Sequence, residues 1–315
     1  MPTRLKNLRI IDPLLTNIVQ GYSNSEYIAE KLFPLADAPM SGKILKWGKD
    51  MFLVHETERA LRAKSNEIAP EERSTIDIQL REHDLVEPLD YIELDEADYA
   101  IEKRAAERVQ EGLTLAREVE SAKIATTLAN YSADNQETLT DNFWNESAVN
   151  IIEEMHQRKD TLEQIIGKAP NTMVMGAAVW NKLKYHDALK LALSSVIGEN
   201  SATLRMENNV PTTKALGALL EIPNIFVGRS KKLEGGSLVD VWGNYIIFAH
   251  IPKSASDPNS PSFGYTLRKK GYPYVDKWEE NGGKLKMIRS TDMYAVEIVG
   301  PDSALIVKNP IDPDA

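Results

Sequence analysis

Residues 91–130 constrain this chain more than any other stretch. They read YIELDEADYAIEKRAAERVQEGLTLAREVESAKIATTLAN, with no proline between Glu93 and Asn130 and one weak helix former, Gly112. Small and apolar residues recur at Ala97, Ile101, Ala105, Val109, Gly112, Leu115, Val119 and Ala122. Spacings of three and four keep them on one narrow stripe of a helix. Thirteen of the residues from Glu93 to Glu120 are charged. A helix of this length spans on the order of 50 Å, more than a compact domain needs. It must find partners along an extended body. The part of the stripe at Ala97, Ile101, Ala105 and Val109 is expected to pack on the tail sheet around Tyr294–Val299, and the charged side to face solvent or an enclosed interior.

What precedes the helix falls into two parts. Residues 1–40 read as an arm, punctuated by Pro13, Pro34 and Pro39, with apolar clusters too small for a core of their own. Asn24 to Leu32 is expected to be one short helix that stops before Pro34. Residues 41–90 read as one long β-excursion, outward on 43–55 and back on 74–90. Thr75-Ile76-Asp77-Ile78-Gln79-Leu80-Arg81 alternates as a half-buried strand does. The charged segment 56–73 forms its tip. A loop that long makes sense if a neighbouring subunit orders it.

After the helix comes a polar linker, 131–141. A second helix is expected with Asn142 or Asn145 as its cap and Val149, Ile152, Met155 and His156 on one face. Pro170–Gly176 reads as a buried strand leading into a helix from Ala177 to about Tyr185, with another over 188–193. Residues 194–215 are polar and turn-rich. Leu219–Val227 and Val239–His250 read as strands, with Gly235-Gly236 between them. The tail is β-rich, with strands at 263–267, 274–278, 284–290, 294–299 and 304–308. Asn281-Gly282 marks a hairpin turn.

Composition narrows the function classes. The 315 residues suggest about two domains and need no covalent staple. There is no cysteine, so disulfides, thiolate nucleophiles and Cys-ligated metals are excluded. A net charge of −10 argues against a DNA-coating module. Asp12, Pro13 and Asn17 interrupt any signal-peptide core, and no apolar run is long enough to span a membrane.

No catalytic pattern emerges. His55, His83, His156, His186 and His250 are scattered and form neither HxH nor HExxH. No glycine-rich phosphate loop or GxSxG elbow occurs. The acidic clusters 94–98, 151–155 and 278–281 read as helix-start or solvated charges, and the basic clusters 230–232 and 267–270 as ordinary surface. Expected catalytic, cofactor-binding and metal residues are therefore none, and the chain is expected not to be an enzyme. An alternative keeps a carboxylate-dependent hydrolase site at the acids of 151–154 with His156.

The order of parts is arm, β-excursion, long helix, α/β block and returning β segment. Several stretches carry a likeness in that order: IDPLLTNIVQGYSNSEYIAEKLFP, PNTMVMGAAVWNKLKYH, VWGNYIIFAHIP, SFGYTLRKKGYPYVDKWEE and IRSTDMYAVEIVGPDSALIVKNP. On these the chain resembles the major capsid proteins of tailed bacteriophages, with the Hong Kong 97-type fold. The resemblance implies an α+β architecture: an N-terminal arm at 1–40, an extended β-loop at 41–90 and a spine helix of a peripheral domain at 91–141. An axial domain at 142–255 and a returning β segment of the peripheral domain at 256–315 complete it. It implies a homo-oligomer of hexamers and pentamers in an icosahedral virion shell around double-stranded DNA, touched without sequence preference. Scaffolding, portal and decoration proteins are the implied partners, no membrane is involved, and assembly is implied in the host cytoplasm. With a short arm and no long charged leader, a fused scaffolding segment is expected to be absent or removed. Some such shells carry a tip lysine bonded covalently to a neighbour; Lys64 lies in the right segment, but a solvated lysine in a charged loop is the stronger reading. An encapsulin-like nanocompartment is the alternative within the same fold.

Overall fold

The computed structural model describes residues 10–45, 54, 57–59, 64–67, 75–96, 100–196, 212–252 and 261–313. The chain starts with β1 (Ile10–Ile11), α1 (Pro13–Gln20), α2 (Ala29–Leu32) and β2 (Leu35–Asp37). Next come β3 (Ser41–Leu45), β4 (Thr75–Gln79), β5 (Arg81–Asp90), α3 (Tyr91–Glu96) and α4 (Ala100–Thr126). The middle holds β6 (Gln136–Thr138), α5 (Ile151–Ile166), β7 (Thr172–Gly176), α6 (Ala177–Leu183), α7 (Asp187–Val196), α8 (Thr213–Leu220) and β8 (Asn224–Gly228). Then follow β9 (Lys231–Glu234), β10 (Ser237–Asp240), β11 (Tyr245–Ala249), β12 (Gly264–Arg268), β13 (Tyr274–Glu280), β14 (Leu285–Ile298) and β15 (Ala304–Lys308).

The arm folds against its own subunit. Asp12 caps α1, accepting from the Leu14 and Leu15 amides at 2.9 and 3.1 Å. Pro13 sits at the helix start, where its missing N–H is not needed. Leu15 and Val19 are buried against Ala105, Ala106, Val275 and Ile288. The expected helix from Asn24 to Leu32 is a turn followed by the four residues of α2. Asn24 instead spends its side chain on the Glu26 amide and on Glu111.

One sheet has the order β1-β13-β14-β12-β2, and β5 also pairs with β14. The arm thus supplies strands at both ends of this order. The expected strands 284–290 and 294–299 are one strand, β14. It runs through Asp292 because Arg268 and Arg117 lie 2.7 and 3.5 Å from that buried carboxylate, which compensates its loss of water. Asn281, Gly282 and Gly283 all have positive φ in the β13–β14 turn, as anticipated.

The β-excursion is present as the antiparallel ribbon β3–β4, with Ile44 opposite Ile76. It is shorter than expected. Residues 81–90 leave it as β5 and pair with β14 from Arg81↔Tyr294 to Asp90↔Leu285. Pro88 is tolerated there because β5 pairs on one edge alone. The expected extended stretch at 46–53 and His55 lies outside the described residues.

The long helix is α4, 27 residues and about 40 Å. Residues 97–99, with Ala97, lie outside the described residues, and α3 is a separate element. The apolar stripe meets the sheet with a shifted register. Ala105 and Ala106 lie against Ile288 and Val275, whereas Ala122 and Ala125 share a core with Tyr294 and Val296. Gly112 has a packing reason, since a Cβ there would stand 2.8 Å from the Leu85 side chain of β5.

The second sheet has the order β6-β15-β11-β7-β8. All five residues of β7 are buried, as a strand covered on both faces requires. Ile151, Met155, Leu162 and Ile166 of α5 pack on one side with α6, α7 and α8. The cap of α5 is Asn150, not Asn142 or Asn145. Those two positions flank a segment tied to the C-terminal strand: the Trp144 amide donates to the Pro310 carbonyl, and Asn145 accepts from the Asp312 amide. The two strands expected between Leu219 and His250 resolve into the end of α8, β8, the separate hairpin β9–β10, and β11. Residues 256–315 do not return as one segment. β15 joins β11 and β6 in this second sheet, because Ala304 to Val307 are buried throughout. Of the expected turn-rich stretch 194–215, residues 197–211 lie outside the described residues.

Candidate contact surfaces

One side of α4 carries the charges that hold the arm. Glu111 and Glu118 are two turns apart and so share a face. Glu111 accepts from Tyr22 Oη at 2.6 Å, Tyr27 Oη at 2.5 Å and Asn24 Nδ2 at 3.1 Å. Arg117 Nη2 reaches Glu30 at 2.5 Å, and its Nη1 lies 3.5 Å from Asp292. Glu118 is fully buried and accepts from the Ile28 and Ala29 amides, Ser230 Oγ and Trp242 Nε1. It therefore joins arm, long helix and α/β unit at one carboxylate. These residues are not the solvated face expected from the sequence. A run of charges cannot show which of them meet donors from a distant segment.

The electrostatics follow the contacts. The Glu111 hydrogen bond, with burial, pushes the Tyr22 phenol up to about 12. Burial and then Glu111 push Tyr27 up further. Burial also raises the Asp292 carboxyl, against the pull of Arg117. A phenol whose folded value is raised contributes stability in full below its ordinary value of 10.0, and that stability is lost as pH rises through about 12. The arm should therefore loosen in that window. Cleavage of the arm by an alkali-stable subtilisin, followed together with tyrosinate absorbance, should rise there in wild-type protein. The double variant Tyr22→Phe, Tyr27→Phe should lose the alkaline step and be weaker at neutral pH. Phenols that ionise near 10.0 with the arm still protected would contradict this.

The described histidines stay apart. His83 stacks on Tyr294, and His250 Nδ1 lies 2.8 Å from the Ala169 carbonyl, with burial lowering its pKa. His186 is buried between the Glu146 carbonyl and the Ala188 amide. His156 lies on α5, where Glu154 pairs with Arg158 at 2.6 Å and Glu153 with Asn150 at 3.3 Å. Among the described residues no group of three or more His, Asp or Glu could hold a metal ion. Within the basic clusters Arg268 pairs with Asp292, Lys231 with Asp240 and Lys232 with Glu234. At 94–98, Asp95 and its neighbours lie in and after α3, whose start Asp90 caps through the Ile92 amide.

Apolar side chains are exposed at separate places: Ile10, Ile11 and Leu14 on the arm, Met40 and Val54 on the ribbon, Tyr91 and Ile92 on α3, and Leu233 and Leu238 on the hairpin. Every described residue of the ribbon's tip is exposed, with Val54 at 99%. Lys64 pairs with Glu67 at 2.5 Å in that tip. Among the described residues no helix is long and apolar enough to cross a membrane.

Comparison with known proteins gives this arrangement relatives. No protein-family model matches the chain. It is 36% identical over 318 aligned positions to the major capsid protein of Burkholderia phage BcepMu, covering 96% of this chain and 98% of that one. The crystal structure of a phage-related protein from Bordetella bronchiseptica RB50 superposes with a TM-score of 0.79 at 25% identity, over 98% of this chain and 100% of the other. The putative capsid protein of an Escherichia coli CFT073 prophage gives a TM-score of 0.57 at 13% identity, over 96% and 99%, a likeness of fold.

Proposed function

Because this chain belongs to the phage major capsid proteins and has their Hong Kong 97-type fold, we propose that its copies overlap through the β3–β4 ribbon to close an icosahedral shell of hexamers and pentamers. The observation that carries the reading is the tip of that ribbon: its described residues are all exposed in the single subunit. Such a ribbon is marginal by itself, and a neighbouring copy supplies what it lacks. The chain is a capsid subunit of a phage virion.

In this reading 1–40 is the arm and 41–80 the extended loop. The large sheet with α4 forms the peripheral domain. The axial domain is 142–255 together with β15. The shell encloses double-stranded DNA. A chain of net charge −10 suits a container that must not grip its contents. Scaffolding and portal proteins are the partners a closed head requires, decoration proteins are further ones, and the host cytoplasm is the place of assembly. No catalytic role is assigned to any residue. The nanocompartment reading is weaker, because the relative at 36% identity is a phage capsid protein.

Electron microscopy of the expressed wild-type protein tests this directly. Closed shells of regular size are the expected result. A monodisperse monomer at high concentration, with its tip resistant to protease, would count against it.

A further inference from the structure

The hairpin β9–β10 stands apart from both large sheets. Its ladder pairs Lys231 with Asp240, Lys232 with Val239, Leu233 with Leu238 and Glu234 with Ser237. Strand alternation puts Lys231, Leu233, Leu238 and Asp240 on one face. The charges are answered within the hairpin, by Lys231–Asp240 at 2.5 Å and Lys232–Glu234 at 2.6 Å. The two leucines are not covered. Directly opposite each other, they are 73% and 68% exposed. Removing such side chains from water is favourable, and a cross-strand pair presents that area on one ribbon. The face runs inward to a cleft of about 670 Å³, lined by Tyr27, Glu111, Asn181 and Arg229 as well as Lys231 and Asp240.

We infer that this hairpin face is a subunit–subunit contact in the shell, and that its occupant is a second copy of this chain. The inference rests on the shell reading above and names a surface which that reading does not. Two observations select the second copy. The hairpin has two lysines and two acids and so no net charge, which gives it nothing to attract nucleic acid or a strongly charged partner. The chain as a whole is −10, so copies carry like net charge and repel one another overall. A neutral apolar ribbon is where two of them can meet without that repulsion.

The test uses the full chain. Leu233→Ser with Leu238→Ser should leave the urea midpoint of the subunit unchanged, because both side chains are already in water. Shell yield at a concentration where wild-type assembles should fall at least about tenfold. The natural chain has no cysteine, so Leu238→Cys introduces one thiol. A maleimide probe should label it readily in free subunits and at least about tenfold more slowly in shells. Wild-type yield from the double serine variant, or equal labelling in shells and subunits, would overturn the inference. So would serine shells that form normally but no longer hold a different capsid component. Wild-type protein that never forms shells would overturn the shell reading itself and this contact with it.

Discussion

Glu118→Leu should cost the subunit about 4 kcal/mol and release its arm from α4. The wild-type carboxylate is 1% exposed and accepts four hydrogen bonds. Those from the Ala29 amide and Trp242 Nε1 are the short ones, at 2.8 and 2.7 Å. Leucine is apolar, one atom shorter, and has no acceptor. It would leave two backbone amides, a hydroxyl and an indole N–H in an apolar enclosure, each unmet donor costing about 1–3 kcal/mol with incomplete additivity. Glu118→Gln keeps one oxygen but turns an amide N–H₂ toward donors, so it should fall between wild type and leucine. Urea midpoints give the order. Trypsin cleavage after Lys31, two residues beyond the Ala29 amide, reports the arm directly. A leucine variant with an unchanged midpoint and a protected Lys31 would show that the junction contributes nothing.

Deleting residues 58–71 should have the opposite profile, a stable subunit and no shells. The described part of that span is exposed. Its contacts include Lys64 with Glu67 and Asn66 with the Glu58 carbonyl, both inside the tip. The ribbon that carries it, from Ser41↔Gln79 to Leu45↔Thr75, lies outside the deletion. Among the described residues the core clusters draw none from the deleted span, so the subunit's urea midpoint should not move. What is removed is area that only a neighbour can bury. Sedimentation and electron microscopy should find unassembled subunits or open, heat-labile particles. Closed shells of normal thermal stability would show that the tip serves no neighbour.

Much of the architecture was legible because it is written in local periodicity. The alternation of Thr75–Gln79, the apolar run Thr172–Gly176 and the Asn281-Gly282-Gly283 turn each specify their element within a few residues. Segments whose partners lie far away in sequence are not legible in this way. Arg81–Asp90 looks like more of the ribbon, yet its ten-residue ladder is with β14, some two hundred positions later in the chain. Ala304–Lys308 looks like the end of the tail sheet, yet being buried on both faces puts it beside β11. One missed element had a local signal: Asp12-Pro13 followed by Leu14, Leu15, Ile18 and Val19 is a capped helix start, and α1 forms there.

By itself the sequence determined that a long helix sits between a β-ribbon and an α/β unit, that no motif for catalysis is present, and that the chain resembles a shell subunit. These follow from spacing, residue type and order, which need no knowledge of distant contacts. Only the tertiary structure decided what the charges of the long helix do. Helical periodicity puts Glu111 and Glu118 on one face, and a charged face is normally solvated. Here donors from Tyr22, Tyr27, the Ile28 and Ala29 amides, Ser230 and Trp242 reach them from segments some ninety to more than a hundred positions away. A carboxylate is stable without water only when such donors replace it, and which donors arrive is a property of the folded chain.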